Sequence, residues 1–289
     1  MNVEARPKII GAAVQRVEDP RLLTGHGRFI DDISLPRMLH VAFCRSDYAH
    51  ARIVNIETAD AATMLGVLGV YTAQDVADQF KPIRATSRMT DYYATELGVL
   101  ARGKVRYVGE AVVAVVAESR YLAEDAAERV MIDYDPLGDA VDPLANINDD
   151  SPLLHEDAGT NVLVIRTFHR GDVDEAMDGA AVCVQDTFHM RRKTPTAMEN
   201  RGYLADYDQG RRTLTLHSTT QIPGIVRDAL EEMLDIPGNR LRVIAPDMGG
   251  GFGGKASLYP EEVLVCLLAR RLVRPVKWLS DRREDLMTT

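Results

Sequence analysis

The chain has 289 residues, is 46% hydrophobic and 27% charged, and carries a formal net charge of −9. That length suits one or two domains with real cores. The acidic balance, relieved only by the short run Met190-Arg191-Arg192-Lys193, speaks against nucleic acid as a partner. No apolar stretch reaches the ~18 residues of a membrane span, and residues 1–7 lack the apolar core of a signal peptide. Cys44, Cys183 and Cys266 are far apart and each falls in an apolar segment, so they read as buried free thiols suited to a reducing cytoplasm. With no Cys-x-x-Cys spacing, the chain cannot hold an iron–sulfur cluster by itself.

In chain order, turn residues surround a short apolar segment over 21–32, and strands are expected at 39–45, 51–57 and 67–71. A short helix fits 59–65, and Thr72 is placed to cap another over 73–79. The β-branched run at 112–117 reads as a buried strand. Ser119 is placed to cap a helix over 120–128, and 130–134 returns as a strand. Residues 136–152, rich in Pro, Asp and Asn, read as a linker. Beyond it the pattern predicts strands at 161–169 and 181–190 with a short helix at 172–177 between them. A hairpin follows over 202–218, turning at Asp208-Gln209-Gly210. A helix over 223–234 carries an apolar stripe of Ile225, Ala229, Leu230 and Met233. A strand at 241–244, a helix at about 260–272 and a strand at 276–279 complete the pattern. The architecture is α+β in two units.

Between the last two strands lies Ala245-Pro246-Asp247-Met248-Gly249-Gly250-Gly251-Phe252-Gly253-Gly254-Lys255, in which five of eleven residues are glycine. Glycine loses more backbone entropy on folding than any other residue, so such a cluster signals close approach to a ligand or positive φ. Two phosphate motifs lie over it. Gly249, Gly254 and Lys255 begin G-x-x-x-x-G-K-[ST], but the eighth position is Ala256, which has no hydroxyl for magnesium. Gly249, Gly251 and Gly254 match G-x-G-x-x-G, but three residues separate strand from glycines. In both cases the next helix starts too late to offer its N-terminus to a phosphate.

The segment Gly249-Gly250-Gly251-Phe252-Gly253-Gly254-Lys255 resembles one in the large subunit of molybdenum hydroxylases, the xanthine dehydrogenase family. Arg21-Leu22-Leu23-Thr24-Gly25-His26-Gly27-Arg28-Phe29-Ile30-Asp31-Asp32 resembles the opening of the aerobic carbon monoxide dehydrogenase branch. Arg45-Ser46, Ala49-His50-Ala51-Arg52, Val105-Arg106-Tyr107-Val108-Gly109-Glu110 and Ala123-Glu124-Asp125-Ala126-Ala127-Glu128 extend the likeness. So do Thr194-Pro195-Thr196-Ala197-Met198-Glu199, Thr219-Thr220-Gln221 and Tyr259-Pro260-Glu261-Glu262.

The resemblance implies an N-terminal arm (1–19), an α/β hammerhead domain (20–135), a linker (136–152) and the first part of a molybdopterin-binding domain (153–289). It implies molybdenum held by a pterin dithiolene, in the cytosine dinucleotide form, with no direct protein ligand. By motif position Gln221 is similar to the glutamine that hydrogen-bonds an oxo ligand of the metal, a role an amide NH₂ can fill. Gly250, Gly251, Phe252 and Gly253 would bring backbone N–H groups against the cofactor, with the Phe252 ring either shielding the site or plugging the core beneath the loop. Glu199 is expected to make a structural or functional hydrogen bond, and Lys255 to end the loop solvated or salt-bridged.

Gly224 and Asn200 depart from the family's usual histidine and proline, which leaves the substrate open. The family's general-base glutamate lies far downstream, so no catalytic residue is assignable here. The expected partners are a polypeptide carrying the rest of the molybdopterin domain, an iron–sulfur subunit and an FAD subunit. The expected reaction is oxidation of a small molecule with water-derived oxygen, with the lone chain inactive. A non-catalytic scaffold and a nucleotide-binding enzyme are the alternatives.

Overall fold

The computed structural model describes residues 9–85, 87–148 and 150–289. The first eight residues of the expected arm, Thr86, and Asp149 of the expected linker lie outside them. The strand Ala111–Ala117 reads AVVAVVA and is buried at every position, as a β-branched run without alternation requires. It pairs antiparallel with Leu39–Arg45 on one side and Val67–Thr72 on the other.

Leu39–Arg45 in turn pairs in parallel with Val276–Leu279, setting Leu39 against Val276 and His40 against Lys277. Gly202–Asp208, Thr213–Ser218 and Leu241–Ile244 follow, completing a seven-stranded sheet. The sheet therefore continues across the 136–152 stretch, drawing strands from both sides of it. A smaller antiparallel sheet holds Lys104–Val105, Ala51–Glu57 and Met131–Pro136.

Local signals set the helix starts. The Ser119 hydroxyl accepts the Leu122 N–H and opens the helix Arg120–Ala127, whose Ala123 and Ala126 are buried. The Thr72 N–H donates to the Asp75 carboxylate at 2.7 Å in a capping box. Pro260 opens the helix Pro260–Leu272, which is buried from Glu261 through Ala269 and packs on Gly202–Asp208 and Val276–Leu279. A helix apolar around most of its circumference belongs inside a core. The segment after the small sheet is pinned to it. Lys104 Nζ donates to Glu156 at 2.6 Å, Arg106 Nε to the Leu154 carbonyl at 2.9 Å, and the Leu137 N–H to the His50 carbonyl at 3.0 Å.

Three expectations are corrected. Residues 161–169 and 181–190 form no strand and join none of the sheets among the described residues, and the side chains from 165 to 193 are exposed. Alternation supplies a strand's faces but not its neighbour, and among the described residues no strand pairs with either segment. The helix Val173–Asp178 between them does form, because the Asp172 carboxylate accepts the Glu175 N–H locally. In the helix Pro223–Leu234 the buried face is Val226, Leu230, Met233 and Leu234, whereas Ile225 is exposed. Leu230 and Met233 of the expected stripe are buried, but its first member is Val226, about 100° round the helix from Ile225. Finally, only Cys266 is fully buried; Cys44 is half-buried and Cys183 is exposed on the unpaired segment. Burial pushes the Cys44 thiol up to about 12 and Cys266 well above its usual range, so neither is a thiolate nucleophile.

Candidate functional site

The strand Leu241–Ile244 leads into the glycine loop, and the helix that follows begins at Pro260, well after Lys255. That late start removes the helix N-terminus both phosphate motifs require. The loop is fixed at its entry, middle and exit. At its entry the Asp247 carboxylate takes a bidentate pair from Arg21 and accepts the Arg28 N–H at 2.7 Å. The hydrogen bond from Arg21 holds the Asp247 carboxyl well below the usual carboxylate range.

Next, Glu199 Oε2 accepts the Gly249 N–H at 2.8 Å and Lys255 Nζ at 3.4 Å, while Oε1 accepts the Ile30 N–H at 3.3 Å. The Glu199 N–H donates back to the Gly249 carbonyl at 3.1 Å. One carboxylate thus joins the loop, its terminal lysine and the N-terminal segment. Lys255 is 3% exposed, so it is a buried, salt-bridged end of the loop and not a solvated one. Burial lowers its pKa, and the Glu199 charge partly offsets that.

Gln221 holds the middle. Its N–H donates to the Lys255 carbonyl at 2.8 Å and its Oε1 accepts the Gly253 N–H at 3.0 Å. Because an N–H demands an acceptor, the amide oxygen faces Gly253, and the NH₂ is left without an acceptor among the described residues. Gly251 packs so closely on this side chain that an added Cβ would stand 2.6 Å from Gln221 Cδ and Oε1. At the exit the Tyr259 hydroxyl donates to the Gly254 carbonyl.

The same loop leaves three consecutive backbone donors free: the N–H groups of Gly250, Gly251 and Phe252 have no acceptor among the described residues. Gly251 is itself buried, and an unpaired N–H there costs free energy until an acceptor arrives. Gly250 has φ +102 and Phe252 φ +49. Left-handed backbone under a phenylalanine costs about 1–2 kcal/mol, and this outlier sits beside the free donors. Phe252 is 75% exposed, so it is not a plug beneath the loop. Behind the loop the cleft lined by Pro195, Ala197, Gly251, Gly254 and Lys255 holds about 10 Å³, room for one water at most. Any ligand must meet the outer face.

Separate features support the site or lie away from it. Ser218 Oγ donates to Glu262 Oε1 at 2.6 Å and the Tyr259 N–H to Oε2 at 3.2 Å. Burial raises the Glu262 carboxyl to about 7. The Arg201 guanidinium lies 4.0 Å over the Tyr259 ring and bonds Asp285 at 3.0 Å, while Arg45 joins Glu261 and Glu284 at 2.9 and 2.8 Å. This buried network anchors Tyr259 and was not readable from sequence, since its members lie up to 239 positions apart. A cavity of about 560 Å³ lined by Arg45, Arg120, Glu124, Trp278 and Glu284 shares no residue with the loop, and those charges already pair with one another or with Glu261. Among the described residues no cluster of His, Cys, Asp and Glu could hold a metal. No helix there is long and apolar enough to cross a membrane. Asn200 donates to the Ser280 carbonyl at 3.1 Å, and Gly224 has open space around it.

Residues 24–138 match the family described as aldehyde oxidase and xanthine dehydrogenase, a/b hammerhead domain, and residues 154–289 match the molybdopterin cofactor-binding domain. The chain is 42% identical over 279 residues to the nicotine 6-hydroxylase large subunit of Paenarthrobacter nicotinovorans, covering 96% of this chain and 34% of that one. It is 38% identical to the carbon monoxide dehydrogenase large chain of Afipia carboxidovorans, covering 97% and 36%. The solved quinoline 2-oxidoreductase of Pseudomonas putida 86 superposes with a TM-score of 0.91 at 41% identity, covering 95% of this chain and 35% of that one. The chain thus spans about a third of the length of these relatives. A hammerhead domain followed by part of a molybdopterin-binding domain, in that order, places this chain in the molybdenum hydroxylase large-subunit family.

Proposed function

We propose that the glycine loop and Gln221 form one wall of a molybdopterin pocket, and that the chain acts within a molybdenum-dependent oxidoreductase complex. The observation that carries this is the row of free N–H groups at Gly250, Gly251 and Phe252 beside the unengaged Gln221 NH₂. Successive outward amides form an anion-binding concavity, which fits the electron-rich oxygens and sulfurs of such a cofactor. When bound, that cofactor supplies two-electron oxidation of a small molecule with oxygen drawn from water. Gln221 would donate from its amide, Gly250, Gly251 and Phe252 from the backbone, and the exposed Phe252 ring would keep water off the donors. Gly253 serves by fixing Gln221, since its own N–H is already spent on that amide.

Among carbon monoxide, aldehydes and N-heterocycles, the names of relatives acting on nicotine and quinoline favour the N-heterocycle class. We assign the cofactor its cytosine dinucleotide form. The rest of the pocket with its general base would lie in the two-thirds of the family's large subunit that this sequence does not span, and the partners would be iron–sulfur and FAD subunits, in the cytoplasm. Residues 20–135 and 153–289 would be the two functional units, joined by 136–152.

The test is metal analysis of the chain purified alone and together with its partner polypeptides. Stoichiometric molybdenum and turnover are expected only in the complex, with occupancy lowered at least tenfold by Gln221→Ala. A lone chain that retains molybdenum and turns over substrate would overturn the reading.

A further inference from the structure

The turn that presents the free donors is itself held in place. The Gly254 N–H donates to the Gly251 carbonyl at 2.9 Å, closing a turn whose two central residues, Phe252 and Gly253, both have positive φ. A phenylalanine in that region persists only where its surroundings over-determine it. Of the bonds that do so, one is the turn's own, and one, from the Gly253 N–H to Gln221 Oε1, comes from a residue of the site. The third comes from behind, where the Tyr259 hydroxyl donates to the Gly254 carbonyl.

The backbone of Tyr259 is fixed by the bond from its N–H to Glu262 Oε2 at 3.2 Å. That bond does not set the ring, since χ2 of a tyrosine has broad wells. The ring is set by Arg201, whose guanidinium carbon stands 4.0 Å from the ring centroid. Arg201 is 1% exposed and is held along its length. Its N–H and Nε donate to Asp285 Oδ1 at 3.3 and 3.0 Å, its Nη2 to Thr288 Oγ1, and its carbonyl accepts the Ser280 N–H at 3.0 Å. Nη1 is different. It lies 3.7 Å from Glu261 Oε2, and neither atom has a hydrogen-bond partner among the described residues. The other Glu261 oxygen is taken by Arg45 Nη2 at 2.9 Å. Buried polar atoms without partners are rare and call for a reason. Here the reason is the stack: the guanidinium keeps its place over Tyr259 and leaves the bond to Glu261 unmade. Arg201 also lines, with Gly251, Gly254 and Lys255, the narrow cleft behind the loop, so it stands between the core and the turn.

We propose that Arg201 is a positioning residue for the glycine loop. Stacked on Tyr259, it aims the hydroxyl that holds the Gly254 carbonyl, and so keeps the Gly250, Gly251 and Phe252 N–H groups facing outward. The inference rests on the molybdopterin-wall reading above and adds to it the residue that shapes the wall from behind. Arg201 serves Asp285 by its charge and Tyr259 by its plane, and the two can be separated. A lysine keeps a cation for Asp285 but has no flat face to lay on the ring.

The test reads amide hydrogen exchange residue by residue in the full chain, for Arg201→Lys, Tyr259→Phe and the two combined. Exchange at Gly253 and Gly254 should be about tenfold faster in each single variant, the size of one lost hydrogen bond. The double variant should be no faster than the faster single one, while protection in Ala111–Ala117 stays unchanged. If Arg201 serves Asp285 alone, lysine restores wild-type exchange at both glycines and the proposal falls. It falls equally if the two substitutions multiply, which is the behaviour of independent sites, or if Tyr259→Phe leaves Gly254 as slow as before. Should Arg201→Lys lose protection in Ala111–Ala117, Asp285→Asn takes its place, since it loosens the same guanidinium. It is judged by the same two glycines and the same non-additivity with Tyr259→Phe. Molybdenum content of the assembled complex keeps the two readings apart. Faster glycine exchange in the variants, with no molybdenum in the wild-type complex, upholds the positioning role and counts against the cofactor wall. Molybdenum in the wild-type complex, with glycine exchange unmoved by the substitutions, does the reverse.

Discussion

The glycine loop and the exposed segment at 182–190 invert what their compositions suggest. Residues 245–255 have the makeup of a flexible segment, yet Asp247, Gly249, Gly253 and Gly254 are each tied by a named hydrogen bond, and a buried salt bridge closes the end. Residues 182–190 have the makeup of a strand, yet they pair with nothing among the described residues. Order follows from satisfied donors and covered surface, not from propensity, which is a weak and context-dependent prior for strands. Glycine here permits close approach, and the approach supplies the bonds; the β-branched residues at 182–190 have no such surface among the described residues.

Four variants, the last a double substitution, test that contrast, taken from the largest expected effect down. Glu199→Ala removes the acceptor for two backbone N–H groups and strands the buried Lys255 charge. Deleting one partner of a buried pair costs about 3–5 kcal/mol, to be read as a loss of unfolding free energy in urea. A loss under about 1 kcal/mol, the size of one ordinary hydrogen bond, would show that the loop is held by something else.

Glu262 gives the next largest effect, and it depends on pH. Its folded pKa of about 7 lies above the ordinary 4.5, so between these values the unfolded chain has lost a proton that the folded chain keeps. The contribution is fully present below the unfolded value and is lost as pH rises through the folded one, for roughly 3 kcal/mol in all. Glu262→Gln, which keeps the neutral form, should remove that part of the decline in urea midpoint between about pH 5 and about pH 8. Parallel wild-type and variant profiles would refute the assignment.

Gly251→Ala sets a Cβ against Gln221 and should cost about 1–3 kcal/mol by overpacking. It should also free the Gly253 N–H, visible as faster exchange at that amide. Smallest is Val184→Asp with Phe188→Asp, which should change the stability of the free chain by less than about 0.5 kcal/mol, since both side chains already face water. A larger loss would mean that the segment packs on its own chain.

Legibility from sequence followed the range of the physics. Ser119, Thr72 and Pro260 act within one helical turn, and they marked where three helices begin, although the Asp75 half of the Thr72 capping box went unread. The strands at Leu39–Arg45, Ala111–Ala117 and Gly202–Asp208 were readable from their patterns, but their order was not. The Ile225 error came from reading one face of a helix without its neighbour, and Cys183 was misplaced along with its strand. In the site, the glycine loop stood out by its composition, the resemblance supplied Gln221 and the ligand, and Glu199 was foreseen as a hydrogen bond without its partners. The Arg45, Arg201, Glu261 and Asp285 network left no local trace, apart from the Glu-Glu pair following Tyr259-Pro260.

The parallel pairing of Leu39–Arg45 with Val276–Leu279 has a consequence for how the molecule is made. At the ribosome the early strand emerges long before its central neighbour exists. At ordinary elongation speeds of ~5–20 residues per second the wait is roughly 10–50 s. During that interval the three-stranded half-sheet of Leu39–Arg45, Val67–Thr72 and Ala111–Ala117 presents Leu39–Arg45 as an open edge, which invites pairing with the wrong chain. Closing it is a high-contact-order event and so a slow one. Nascent chains stalled before residue 276 should therefore depend on a chaperone holding that edge, whereas chains released past residue 279 should not.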